Sequence, residues 1–109
     1  MKVKDLIKLN GVGEEFLADG EREIEAGYAG DFLSFVMSNA PAGAAWFTVM
    51  NNVNVAAVAA LADVACVVLC EGVKPDAHLS AAVRERGINL LTSNNDIFSA
   101  IKNMVTNTL

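Results

Sequence analysis

The side chains able to bind or react in this sequence are few, and they fall in short runs between apolar segments. Tyr28 and Asp31 form one run, Thr48, Asn51, Asn52 and Asn54 a second, Glu71 and Lys74 a third, and Thr92, Ser93, Asn94 and Asn95 a fourth. Lys74 would hold an anion, Asp31 and Glu71 could carry a proton, and the amides and hydroxyls would fix a small polar ligand by hydrogen bonds. Gly27-Tyr28-Ala29-Gly30 has the make-up of a phosphate-binding turn, since bare amides at a helix N-terminus attract anions. Asp31 sets a carboxylate against those same amides, so a capped turn is the simpler expectation there. The candidate ligand-binding residues are Gly27, Tyr28, Gly30, Asp31, Thr48, Asn52, Asn54, Glu71, Lys74, Thr92 and Ser93. Each competes with a plainer role, because Asn, Asp, Ser and Gly also gather in loops as caps and turn formers.

The constellations of the common enzyme classes are missing. A P-loop needs glycine, four residues and then Gly-Lys-Ser/Thr, so that amides and a lysine surround the phosphates, and no stretch fits. Gly11-Val12-Gly13 follows an expected helix rather than a strand, which makes it a poor dinucleotide signal. The only histidine, His78, has no second histidine to share a metal and reads as an exposed residue early in a helix. Cys66 and Cys70 lie on one side of an apolar strand and read as buried free thiols. Trp46 opens a strand and reads as packing. No catalytic residue, metal site or cofactor is assigned on these grounds.

The elements that must position the polar runs follow from periodicity. Val3, Leu6 and Ile7 share a helical face in a short helix from Val3 to Leu9, with Gly11 as its C-cap. Phe16-Leu17-Ala18 and the alternating Ile24, Ala26 and Tyr28 flank Asp19-Gly20 and predict two short strands, with Glu21, Glu23 and Glu25 on the wet side. Asp31 would cap a helix from Phe32 to about Asn39, apolar nearly all round and therefore buried on two sides. From there the chain alternates: strand Trp46 to Met50, helix Val55 to Ala62, strand Val64 to Cys70, helix Ala77 to Arg86, strand Ile88 to Leu91 and helix Ile97 to Val105. Asn54, Gly87 and Asn95 or Asp96 serve as caps in this scheme. Apolar strands alternating with helices predict an α/β three-layer sandwich, its mostly parallel sheet built by a C-terminal βαβαβα unit with short N-terminal strands. The polar runs would then converge beyond the carboxyl ends of the strands, where such sheets bind ligands.

The 109 residues suit one domain, and a 53% hydrophobic content with a mean hydropathy of +0.37 demands extensive burial. The helix Phe32 to Met37 is accordingly the first candidate for a homodimer contact. Val55 to Cys70, the longest apolar stretch, is broken by Asp63 and too short to cross a bilayer. Lys2, Lys4 and Asp5 do not begin a signal peptide, so a cytoplasmic location without membrane contact is expected. A net charge of −5 argues against nucleic acid as a partner.

Three stretches carry a family resemblance. They are Gly27-Tyr28-Ala29-Gly30-Asp31-Phe32-Leu33-Ser34-Phe35-Val36-Met37, Trp46-Phe47-Thr48 followed by Asn54-Val55-Ala56-Ala57-Val58-Ala59, and Glu71-Gly72 with Pro75-Asp76. Together they resemble the DRTGG domain family, itself similar to the N-terminal domain of HPr kinase/phosphorylase. The resemblance runs in order over nearly the whole chain and implies a single DRTGG-like α/β domain over residues 1–109. Such domains stand alone or are fused to CBS domains or to phosphotransacetylase, and look like regulatory, ligand-sensing or dimerisation modules. The chain departs from the family in lacking a literal Asp-Arg-Thr-Gly-Gly and in carrying Asn52 where relatives often have histidine. The expectation is a non-catalytic regulatory or dimerisation domain taking a small polar or nucleotide-like ligand. Two alternatives stay open: an enzyme or phosphotransfer-related subunit that acts with a partner protein through Asp31, Glu71 and Lys74, and a purely structural interaction subunit.

Overall fold

The computed structural model describes residues 1–108. A five-stranded sheet runs in the order β1-β5-β4-β3-β2. Its strands are β1 (Val12–Phe16), β2 (Ala26–Ala29), β3 (Ala44–Thr48), β4 (Cys66–Leu69) and β5 (Leu90–Ser93). The helices are α1 (Val3–Leu6), α2 (Leu33–Asn39), α3 (Asn54–Ala62), α4 (Ala77–Arg86) and α5 (Ile97–Asn107). β2 to β5 are parallel, and β1 closes one edge antiparallel to β5.

Helices cover both faces. Trp46, Val67, Leu69 and Leu90 point into a layer formed by Val36 of α2, Val55 and Ala59 of α3, and Leu79 and Val83 of α4. Ala45, Phe47, Cys66, Val68 and Leu91 point the other way, toward Val3 and Leu6 of α1 and Ala100 and Met104 of α5. This explains why β3 and β4 are apolar without interruption: every residue of each is buried, on one face or the other. Cys66 and Cys70 share one face and are buried free thiols. Burial pushes their pKa values up to about 12 and about 11, so neither is a ready nucleophile at neutral pH.

The three-layer architecture agrees with the sequence reading, and α4 begins and ends at the expected residues, capped by Asp76 accepting from the Leu79 amide and by Gly87 at φ 67°. Several local expectations are corrected. The first strand before Asp19-Gly20 runs earlier than expected, from Val12 to Phe16, and pairs with β5, while β2 pairs with β3 at the opposite edge. Each edge finds a better-buried central strand than the other could offer. α1 stops at Leu6, short of Leu9. β5 runs on to Ser93, beyond the expected Leu91, because β1 pairs along it as far as Ser93. α2 is not buried on two sides: only Val36 is buried, and Phe32 and Phe35 are each 64% exposed.

Candidate functional site

All four parallel strands end at one rim, so the loops after β2, β3, β4 and β5 meet there, together with the start of β1. The register lays Gly13, Thr92, Leu69 and Thr48 side by side across this rim. Strand alternation turns their side chains toward the α3 and α4 layer, where those helices begin. α5 leaves on the other face, which would open a crevice between the ends of β4 and β5. The backbone fills that gap: the Glu71 amide donates to the Asn95 carbonyl at 2.8 Å and the Gly72 amide to the Ser93 carbonyl at 3.0 Å. Glu71 and Gly72 reach these partners with φ of 62° and 73°, a left-handed reversal for which Gly72 is well suited.

Asp31 does not cap α2. Phe32 takes the N-cap position without a side-chain bond, and the Asp31 carboxylate instead accepts from the Thr48 hydroxyl at 2.7 Å and the Val49 amide at 2.9 Å. Thr48 is wholly buried and its hydroxyl also accepts from the Met50 amide at 3.1 Å. The expected competition between Asp31 and a phosphate for the α2 amides therefore does not arise; Asp31 ties the ends of β2 and β3 together. Asn54 is likewise not a cap. It is the first residue of α3 after Val53, and its own amide is met by Asn52 Oδ1 at 2.9 Å, an Asx-type turn. Trp46 belongs to the core, as its strand position suggested, and also fixes the rim by donating Nε1–H to the Gly30 carbonyl at 2.9 Å.

The candidate residues thus divide. Asp31, Thr48 and Ser93, whose hydroxyl accepts from the Asn95 amide at 3.1 Å, are held by the fold. Gly27 lies in β2 beside Met104, and Gly30 is packed against Tyr28. Asn54, Glu71 and Lys74 are exposed at the rim, and among the described residues their side chains form no hydrogen bond or ion pair. Thr92 is half-buried opposite Gly13. Asn51, placed in a polar run but not among the candidate ligand-binding residues, is a strut: its Nδ2 donates to the Lys74 carbonyl and its Oδ1 accepts from the Asp76 amide at 2.8 Å, locking the Lys74 loop to the β3 loop. Asn10 and Gly11 also join the rim, bonded to Asn95 and to the Asn94 amide.

The field at the rim is mixed. Burial raises the Cys70 pKa most, and the nearby negative charges of Glu71, Asp96 and Asp31, all exposed residues, raise it further. Lys74 is the single lysine or arginine in the rim loops. Among the described residues no three His, Cys, Asp or Glu side chains are placed to hold a metal ion. His78 is exposed in the first turn of α4.

A cavity of about 280 Å³ lies at the opposite end of the strands, lined by Asp19, Arg22, Asp63, Arg86 and Asn89 among others, and contains none of the candidate residues. Arg22, Asp63 and Asn89 are already engaged there, while Arg86 is exposed and, among the described residues, makes no hydrogen bond or ion pair. Arg22 donates to Asp63 Oδ1 at 2.9 Å and to the Asp63 carbonyl at 2.8 Å, and the Asn89 amide bonds the Asp19 backbone and the Ala65 carbonyl. The C-termini of α3 and α4 also point there, which disfavours an anion. The rim, with the free side chains of Asn54, Glu71 and Lys74, is the better candidate.

No protein-family model matches the chain, and no curated protein matches it. A solved structure with the same fold, at a TM-score of 0.76 and 11% sequence identity, is that of the CBS and DRTGG domains of the regulatory region of Clostridium perfringens pyrophosphatase complexed with the activator diadenosine tetraphosphate. The match covers 95% of this chain and 46% of that one, so the chain spans about half the length of its neighbour. Among the described residues no helix is long and apolar enough to cross a membrane.

Proposed function

We propose that residues 1–109 form a single DRTGG-like domain that is regulatory rather than catalytic, sensing a nucleotide-like anion at the rim formed by the strand ends. The observation that carries this is the placement of one free cation, Lys74, and the unengaged Asn54 side chain on two loops that Asn51 holds together. The shared fold supports it, because the neighbour is a regulatory region complexed with a dinucleoside polyphosphate. In this reading the matched half of that chain is its DRTGG part, and the further likeness to the N-terminal domain of HPr kinase/phosphorylase belongs to the same proposal. The carboxylates Asp31, Glu71 and Asp96 near the rim make a bare polyphosphate a poor fit, so the ligand binds with its counter-cation or turns its phosphates toward Lys74. A cytoplasmic homodimer completes the reading, with the exposed Phe32, Phe35 and Met37 of α2 near the contact.

Thermal unfolding in the presence of diadenosine tetraphosphate and Mg²⁺ tests the proposal. A ligand at a hundredfold excess over its Kd adds about 2.7 kcal/mol, a rise in Tm on the order of 10 °C for a domain of this size. Turnover of the compound by the pure protein, or no shift with any nucleotide or sugar phosphate, would count against it. The enzymatic alternative loses ground because Asp31, its best acid/base, is committed to Thr48 and Val49.

A further inference from the structure

We infer that two copies of this chain join edge to edge through β2, making one continuous sheet across the dimer. This rests on the homodimer reading above and adds where the copies meet. The two edges of the sheet differ in a way that selects one of them. β1 is bulged between Glu14 and Phe16 and carries Glu14 and Glu15, the devices by which an edge avoids pairing with another strand. β2, Ala26-Gly27-Tyr28-Ala29, has no charge, no proline and no bulge against β3. Its small residues leave room for a second strand to approach.

The peptide groups of β2 are placed for this. The Gly30 amide points inward, donating to the Phe47 carbonyl at 3.2 Å. Backbone groups alternate along a strand, so Ala29 and Gly27 direct theirs outward, and both residues are exposed. Exposed apolar side chains belong to the elements that follow or cover this strand. Phe32 and Phe35, just after β2, pack edge to face at 5.0 Å between ring centroids and are each 64% exposed. At the end of α5, Met104 lies beside Gly27 and the next residue, Val105, is 49% exposed. Glu25 before the strand and Asp31 after it confine the pairing to these few residues. With only one open edge, the contact uses the same surface on both copies and closes at two rather than growing into a fibre.

The mass of the full chain in solution, measured over a range of concentrations, is combined with amide exchange at Gly27 and Ala29 and with the variant Ala29→Pro. The proline removes only an outward-pointing donor, so the strand pairing within one copy is kept. The expected result is a dimer whose Gly27 and Ala29 amides are protected and regain fast exchange on dilution. Ala29→Pro would weaken it at least tenfold while still unfolding cooperatively. A dimer that survives Ala29→Pro, with Gly27 and Ala29 exchanging freely, would overturn pairing through β2 and leave the homodimer standing. A monomer at every concentration would overturn both. Should Ala29→Pro fail to fold, the exchange at Gly27 and Ala29 in the unaltered chain decides alone.

Discussion

Replacing Thr48 by valine keeps the shape of a fully buried side chain and deletes one oxygen. That oxygen donates to Asp31 at 2.7 Å and accepts from the Met50 amide at 3.1 Å. A hydrogen bond to a charged group contributes about 1.5–3 kcal/mol. Asp31 is exposed and can rehydrate, which places the loss near the lower end, at about 1.5 kcal/mol. With a urea m-value near 2 kcal/mol/M the unfolding midpoint should fall by roughly 0.7 M. The pairing itself is isolated by a double-mutant cycle with Asp31→Ala, in which the coupling should be about 1 kcal/mol. Additivity to within about 0.3 kcal/mol would refute the view that Asp31 is a tie between β2 and β3, and would return it to the set of residues free to meet a ligand.

Other consequences follow from single groups. Gly43 sits at φ 79°, and a methyl group there would meet the Glu25 carboxylate, so Gly43→Ala should cost about 1–2 kcal/mol; Glu25→Ala in the same chain should restore only the steric part, leaving the cost of the left-handed backbone. Lys2 and then Lys4 hold Glu21 down to about 2 from 4.5, so its contribution is fully present above pH 4.5 and is lost as pH falls from there toward 2. Glu21→Gln should flatten the acid side of the stability profile in that window, and a profile of unchanged slope would contradict the ion pairs. Cys66 and Cys70, raised by burial, should resist alkylation at pH 8 until the protein unfolds. Because their folded pKa values are raised, stability should fall as pH climbs past 9 toward 11 and 12.

Much of the fold was legible because its central strands carry unbroken apolar runs and its helices have clear stops. The limits of α4 were read to the residue, and Gly87 marked its end because a left-handed C-cap acts through local backbone geometry. Pairing of the edge strands was not legible. Phe16 and Tyr28 flank a turn signal at Asp19-Gly20, but their partners, Leu90 and Trp46, are distant in sequence, and burial against them outweighs the local turn. The loops of the site were found by position, because strand ends in a parallel sheet must converge. Which side chains would be free was hidden. Asp31 and Asn54 look like caps by residue type, yet Asp31 is drawn to a buried hydroxyl 17 residues away and Asn52 takes the capping role at α3. Asn51, one of several loop amides in the sequence, becomes a strut only because the β4 loop folds back against it.

The central claim is that the rim around Lys74, and not the arginine-lined cavity at the other end of the sheet, binds a nucleotide-like anion. Calorimetric titration of diadenosine tetraphosphate with Mg²⁺ into the intact protein, Lys74→Ala and Arg86→Ala separates the two. Loss of one charge-assisted contact of about 1.4 kcal/mol should weaken binding tenfold in Lys74→Ala, with Arg86→Ala unchanged. Binding abolished by Arg86→Ala but indifferent to Lys74→Ala, or no binding heat in the intact protein, would contradict the account.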